Sequence, residues 1–126
     1  MDLLTGAIIG AAIEVHRALG PGLLESACTP CFVHELELRG LQVRSEVAVP
    51  VRYKGVALDC GYRVDLIISE SVVIELKAVE KLLPVHQAQV ITYLKLTGLP
   101  VGLLIHWNVP LLKEGLKRLT NPSVTL

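Results

Sequence analysis

From Asp2 to about Leu19, apolar residues recur at steps of three and four: Leu4, Ile8, Ala11, Val15 and Leu19. That period predicts an amphipathic helix, stopped by Gly20-Pro21-Gly22. A second helix is expected from about Leu23 to Leu38, ended by Gly40. Pro30 either kinks it or restarts it with Thr29 as N-cap. After Gly40 the period drops to two. Residues 42–54 alternate and are rich in valine, with Pro50 marking an edge or bulge. Lys54-Gly55 reads as a turn, and residues 57–69 and 72–79 as two further strands joined around Glu70. A helix follows from Pro84 to about Leu96, then an apolar strand over Val101–Trp107. A last helix is expected from Pro110 to about Leu119. The order α-α-β-β-β-α-β-α predicts an antiparallel meander, then a helical crossover making the last two strands parallel.

The chemistry concentrates in Tyr62-Arg63-Val64-Asp65-Leu66-Ile67-Ile68 and Val72-Val73-Ile74-Glu75-Leu76-Lys77. If the hairpin is symmetric about Glu70, Asp65 faces Glu75, Arg63 faces Lys77 and Ile67 faces Val73. Alternation puts these on one face and Val64, Leu66, Ile68, Ile74, Leu76 and Ala78 on the other. Directly opposed carboxylates repel each other across a sheet. A divalent cation between them removes that objection, and Mg²⁺ favours one or two carboxylates plus water and phosphate oxygens. Lys77, two residues from Glu75, then projects to the same side, where an ammonium can orient the attacking water or stabilise charge on phosphate. The plain alternative is a solvated surface carrying Arg63–Glu75 and Asp65–Lys77 ion pairs. On the following helix, Gln89 and Tyr93 are four apart and share a face.

Further segments join these. They are Ile8-Ile9-Gly10-Ala11-Ala12-Ile13-Glu14-Val15-His16, Gly20-Pro21-Gly22-Leu23-Leu24-Glu25-Ser26, Ala88-Gln89 with Tyr93-Leu94-Lys95, and Val101-Gly102-Leu103-Leu104-Ile105. Together they resemble the GxxExxY proteins, small members of the PD-(D/E)XK nuclease superfamily, over nearly the whole chain. The resemblance implies one domain over residues 1–126 with a three-layer α/β/α restriction-endonuclease-like core and a mixed central sheet. It implies Mg²⁺ or Mn²⁺ held by Asp65 and Glu75, with Lys77 as third member of the catalytic motif. Gln89 and Tyr93 resemble a Gln-x-x-x-Tyr motif that contacts substrate, with Gln89 also a catalytic candidate. Glu25 fills the glutamate of GxxExxY and is a third, weaker metal ligand. Two departures stand out: Cys28 replaces the motif's tyrosine, and His106-Trp107 stands where Asn-Phe is expected. The implied activity is metal-dependent hydrolysis of phosphodiester bonds in DNA or RNA. The competing class is a non-catalytic interaction or dimerisation module on a nuclease-like fold.

Composition narrows this. Twelve basic and twelve acidic side chains cancel, which excludes a broadly basic nucleic-acid coat and makes binding without metal weak. The hydrophobic class is 52% and mean hydropathy is +0.54, beyond what a small surface-rich protein needs, so a homodimer is expected as a further possibility. The longest apolar run, Leu3 to Ile13, falls short of the roughly 20 residues of a membrane span. Asp2 sits where a secretion signal carries basic residues. The chain therefore reads as cytoplasmic, with no membrane partner. Three cysteines do not make a disulfide framework. Cys28-Thr29-Pro30-Cys31 is a C-x-x-C outside the βαβ setting of redox motifs, and with His34 it offers zinc three ligands where roughly four are needed.

Overall fold

The computed structural model describes residues 2–22 and 24–124. It contains three helices, α1 (Leu3–Leu19), α2 (Glu25–Leu38) and α3 (Pro84–Thr97). The strands are β1 (Val43–Ala48), β2 (Val51–Tyr53), β3 (Val56–Leu58), β4 (Arg63–Ile68), β5 (Val72–Lys77), β6 (Val101–His106) and β7 (Leu116–Thr120). Five strands form one sheet in the order β1-β4-β5-β6-β7, and β2 and β3 form a separate two-stranded ribbon. The β5–β6 pair is parallel, bridged by α3 as crossover, and the other pairs are antiparallel. This is the mixed sheet flanked by helices that the order of elements predicted.

Both faces of the sheet are covered. Leu66, Ile68, Ile74, Leu76, Leu103 and Ile105 pack with Ile8, Ala11, Phe32 and Leu36 of α1 and α2. Ile67, Val73 and Leu104 pack with Val90, Tyr93 and Leu94 of α3. The central strands therefore need apolar residues at nearly every position, and all six residues of β6 are buried. That covering uses up much of the hydropathy surplus. Gly102 lets α3 lie close, because a Cβ there would come within 2.6 Å of Val90 Cγ1. Asp2 caps α1, its carboxylate accepting from the Thr5 amide at 2.7 Å. Pro30 lies inside a continuous α2, and the Thr29 hydroxyl donates to the Glu25 carbonyl at 3.0 Å instead of capping a new helix. Leu23, the expected start of α2, lies outside the described residues. Among the described residues, no helix is long and apolar enough to cross a membrane.

Two expectations need correction. Residues 110–119 do not form a helix. A 3₁₀ turn at Leu112–Gly115 leads into β7, which pairs with β6. The apolar spacing Leu111, Leu112, Leu116, Leu119 suits a helix face, but β6 had an open edge whose amides and carbonyls need partners, and β7 supplies them. Lys117 and Arg118 therefore lie on an exposed edge strand, not a helix face. The long strands expected at 42–54 and 57–69 are each broken in two. Pro50 offers no amide to continue the ladder, and opposite it the three residues Asp59, Cys60 and Gly61 fill the gap between the Val49–Tyr62 and Val51–Leu58 partners.

Candidate functional site

The β4–β5 register carries the site. Leu66 pairs with Ile74, Ile67 with Val73 and Ile68 with Val72, which is the symmetry about Glu70 expected from the sequence. Its turn is tight, with Ser69 and Glu70 both at positive φ and the Ser71 amide donating to the Ile68 carbonyl at 3.0 Å. The ladder ends at Leu66, and from there β4 and β5 diverge. In place of a backbone partner, the Leu76 amide donates to the Asp65 carboxylate at 2.7 Å. The divergence also turns Val64, which packs on the α3 side with Ile67 and not with Leu66 and Ile68 as alternation predicted.

Asp65 is thus fixed against β5 beside Glu75. Glu75 is 2% exposed, a depth at which a lone carboxylate is rarely found. Burial is the main reason its pKa rises to about 9, followed by a side-chain hydrogen bond with Asp65 and by the Asp65 charge, while Lys77 opposes the rise. Burial and the neighbouring Asp65 therefore favour the neutral form of Glu75, and a cation between the two carboxylates would reverse that preference.

Neither ion pair of the solvated-surface alternative forms. Arg63 pairs with Asp59 at 3.4 Å, and among the described residues Lys77 makes no ion pair. Glu25, at the first position of α2, stands in the field of Asp65, Lys77 and Glu46. Its carboxyl is pushed up, by burial first and Asp65 second. It borders the pair without completing a cage: among the described residues, no three His, Cys, Asp or Glu side chains converge as a metal ion requires.

On α3, Gln89 Nε2 donates to the Tyr93 hydroxyl at 3.0 Å. The Tyr93 phenol is pushed up by burial first and then by the Glu75 charge, so the Gln89–Tyr93 pair stands within the electrostatic reach of the carboxylates. The structure thus gathers Asp65, Glu75, Lys77, Gln89 and Tyr93, with Glu25 alongside. Two neighbours were not singled out from sequence. Tyr62 meets Tyr93 edge to face, ring centres 5.9 Å apart. Glu46 adopts φ 51 at the point where β1–β4 pairing skips from Ser45↔Leu66 to Val47↔Val64, opposite Asp65. A tyrosine just before the motif strand was a signal for the first. Nothing in the alternating pattern signalled the second.

The cysteines offer no rival centre. Cys28 is buried beside Phe32, and its thiol is pushed up by burial, the reverse of what a redox nucleophile needs. Cys31 and Cys60 are free and exposed.

A family model for the PD-(D/E)XK nuclease superfamily matches residues 2–119. No curated protein sequence matches the chain. Among solved structures, a chain from the crystal structure of SSO0001 is similar at 19% identity and TM-score 0.46, the likeness covering 98% of this chain and 80% of that one. With the family match extending over almost its whole length, the chain belongs to the PD-(D/E)XK nuclease superfamily.

Proposed function

We propose that this protein is a divalent-metal-dependent nuclease that hydrolyses phosphodiester bonds in DNA or RNA. The observation carrying the proposal is the buried Glu75 carboxyl held against Asp65 with Lys77 beside it. Superfamily membership supports nuclease chemistry, and these nucleases generally use divalent metals. The donor set fits a hard cation: two carboxylates with no soft ligand, leaving the other coordination positions to water and phosphate oxygens. A bound Mg²⁺ or Mn²⁺ would supply Lewis acidity at the scissile phosphate.

The chain's own residues have separate tasks in this reading. Asp65 and Glu75 would hold the cation, Glu75 as its ionised carboxylate. The Leu76 amide keeps Asp65 in place, so the site is formed before metal arrives. Lys77 orients the attacking water or meets charge developing on the phosphate. Gln89 and Tyr93 position the substrate strand, and Glu25, which does not converge with Asp65 and Glu75, adds negative charge beside them. We also read the chain as a GxxExxY protein, on Gly22 and Glu25 with Cys28 in the tyrosine's place.

The test is purified protein with Mg²⁺ or Mn²⁺ on single-stranded, duplex and structured DNA and RNA. Metal-dependent cleavage that disappears in Glu75→Ala is expected. Absence of cleavage on every substrate, or equal activity in the variant, would overturn the proposal.

A further inference from the structure

The β2–β3 ribbon extends the β1–β4 pair beyond Pro50 and, among the described residues, pairs with no other strand. One of its faces is apolar. Val51 opposes Leu58 and Tyr53 opposes Val56, yet Tyr53 is 62%, Val56 55% and Leu58 44% exposed. Its charge is of one sign. Arg52, on the face opposite Tyr53, and Lys54 at the turn are its charges, with no acidic residue between Pro50 and Leu58. The first acid beyond it, Asp59, is already engaged by Arg63 and by the Gly61 amide. Lys54 Nζ sits 5.5 Å from the centre of the Tyr53 ring, so a cation lies on the apolar face itself.

The ribbon is tied to the candidate site. Its base is closed by the Val49 amide donating to the Tyr62 carbonyl at 3.1 Å. Tyr62 stands edge-on to Tyr93, next to Glu75. At most about 36 Å of extended chain separates Gly55 at the tip from Asp65, a span of roughly ten stacked nucleotides at 3.4 Å each.

We propose that the β2–β3 ribbon grips an unpaired nucleic-acid strand, stacking bases on the Tyr53 face while Lys54 and Arg52 meet phosphates. The proposal rests on the nuclease reading of the adjoining site and names the form of its substrate. A single strand presents both apolar base faces and a polyanionic backbone, matching a surface that is both apolar and purely cationic. A duplex hides its base faces. A second copy of this chain would bring the same two cations and no carboxylate of the ribbon to pair with them. The ribbon also explains how a chain of zero net charge holds a polyanion: its local excess of cations replaces a basic coat.

Fluorescence anisotropy in EDTA at low salt tests this independently of cleavage. The probes are a labelled single-stranded DNA of about 20 nucleotides, its ribose counterpart and its duplex. Tyr53→Ala is expected to weaken single-strand binding about tenfold or more, with Tyr53→Phe restoring it. Arg52→Gln plus Lys54→Gln is expected to flatten the salt dependence by about one to two ion equivalents. Duplex binding should change less. Far-UV circular dichroism confirms that the variants are folded. Wild-type affinity in Tyr53→Ala, or no binding of any probe by the wild type, overturns the proposal. So does a wild-type dimer in sedimentation that Leu58→Ser makes monomeric with binding unaltered, which would assign the face to a second copy. Loss of binding in Tyr53→Ala without any cleavage activity in the wild type would sustain the grip and sink the nuclease reading instead.

Discussion

Two hairpins of this chain are built alike and end differently. Each turns through two consecutive residues at positive φ, Lys54-Gly55 in β2–β3 and Ser69-Glu70 in β4–β5, and each is rich in β-branched residues. Every residue of β5 but the last is buried, while every residue of the ribbon except Val51 is exposed. The difference lies in what covers them. β4–β5 has helices on both faces and strands on both sides, and that low-dielectric setting lifts Glu75 to about 9. The ribbon has neither, so its side chains keep water and remain available to a partner. Turn chemistry makes a hairpin, and layering decides whether its side chains are buried or left exposed.

The sharpest way to separate them is activity. Glu75→Ala is expected to lower the cleavage rate by about 10²-fold or more, and Lys77→Met by a similar factor. Tyr53→Ala should act mainly through KM, seen in steady-state kinetics with saturating Mg²⁺. A kcat collapse in Tyr53→Ala would erase the distinction.

Stability should divide in the same way. Ile74→Ala is expected to cost about 2–5 kcal/mol, and Val56→Ala less than about 0.5 kcal/mol, both read from urea denaturation. A comparable loss at Val56 would mean the ribbon is packed after all.

The titration of Glu75 gives a third contrast. Its folded pKa of about 9 lies above the ordinary 4.5. Its stabilising contribution is therefore complete below 4.5 and is lost as pH rises through 9. Metal-free protein should melt at least about 5 °C lower at pH 9 than at pH 6. Glu75→Gln should remove most of that decline, and Mg²⁺ should oppose it in the wild type. A flat metal-free profile in differential scanning calorimetry would contradict the burial argument.

A smaller effect is expected at Gly102, where the methyl of Gly102→Ala meets Val90 at 2.6 Å. A cost of about 1–3 kcal/mol follows from displacing α3, readable as a lower denaturation midpoint. The smallest change concerns the turns. Ser69→Gly relieves a left-handed non-glycine residue and should stabilise by about 0.5 kcal/mol; β2–β3 carries Lys54 at the corresponding position and Gly55 at the next, where β4–β5 has Glu70. Destabilisation by Ser69→Gly would show that the serine makes a contact worth more than its strain.

Much of this was legible in the chain. The period of α1, the Pro84 start of α3, the valine alternation of β1 and the symmetric β4–β5 register each followed from local pattern. Asp65, Glu75 and Lys77 could be assigned to one face because a strand has a period of two. Three features escaped because they depend on distant partners. Residues 116–120 became β7 because β6 needed an edge partner. Val64 changed sides because β4 leaves β5 at Asp65. Glu46 lies opposite Asp65 through the β1–β4 register, and its positive φ interrupts the ladder there.

The sequence by itself determined the first two helices, the crossover helix with the parallel pair it joins, the register of the central hairpin and the residue types of the site, because these rest on periodicity and turn chemistry over a few residues. Only the tertiary structure decided which carboxylate is buried, that the Leu76 amide holds Asp65, that Gln89–Tyr93 closes on them, and that one ribbon stands free. Those outcomes depend on which surfaces meet, and burial sets both the energy of a charge and the availability of an apolar face.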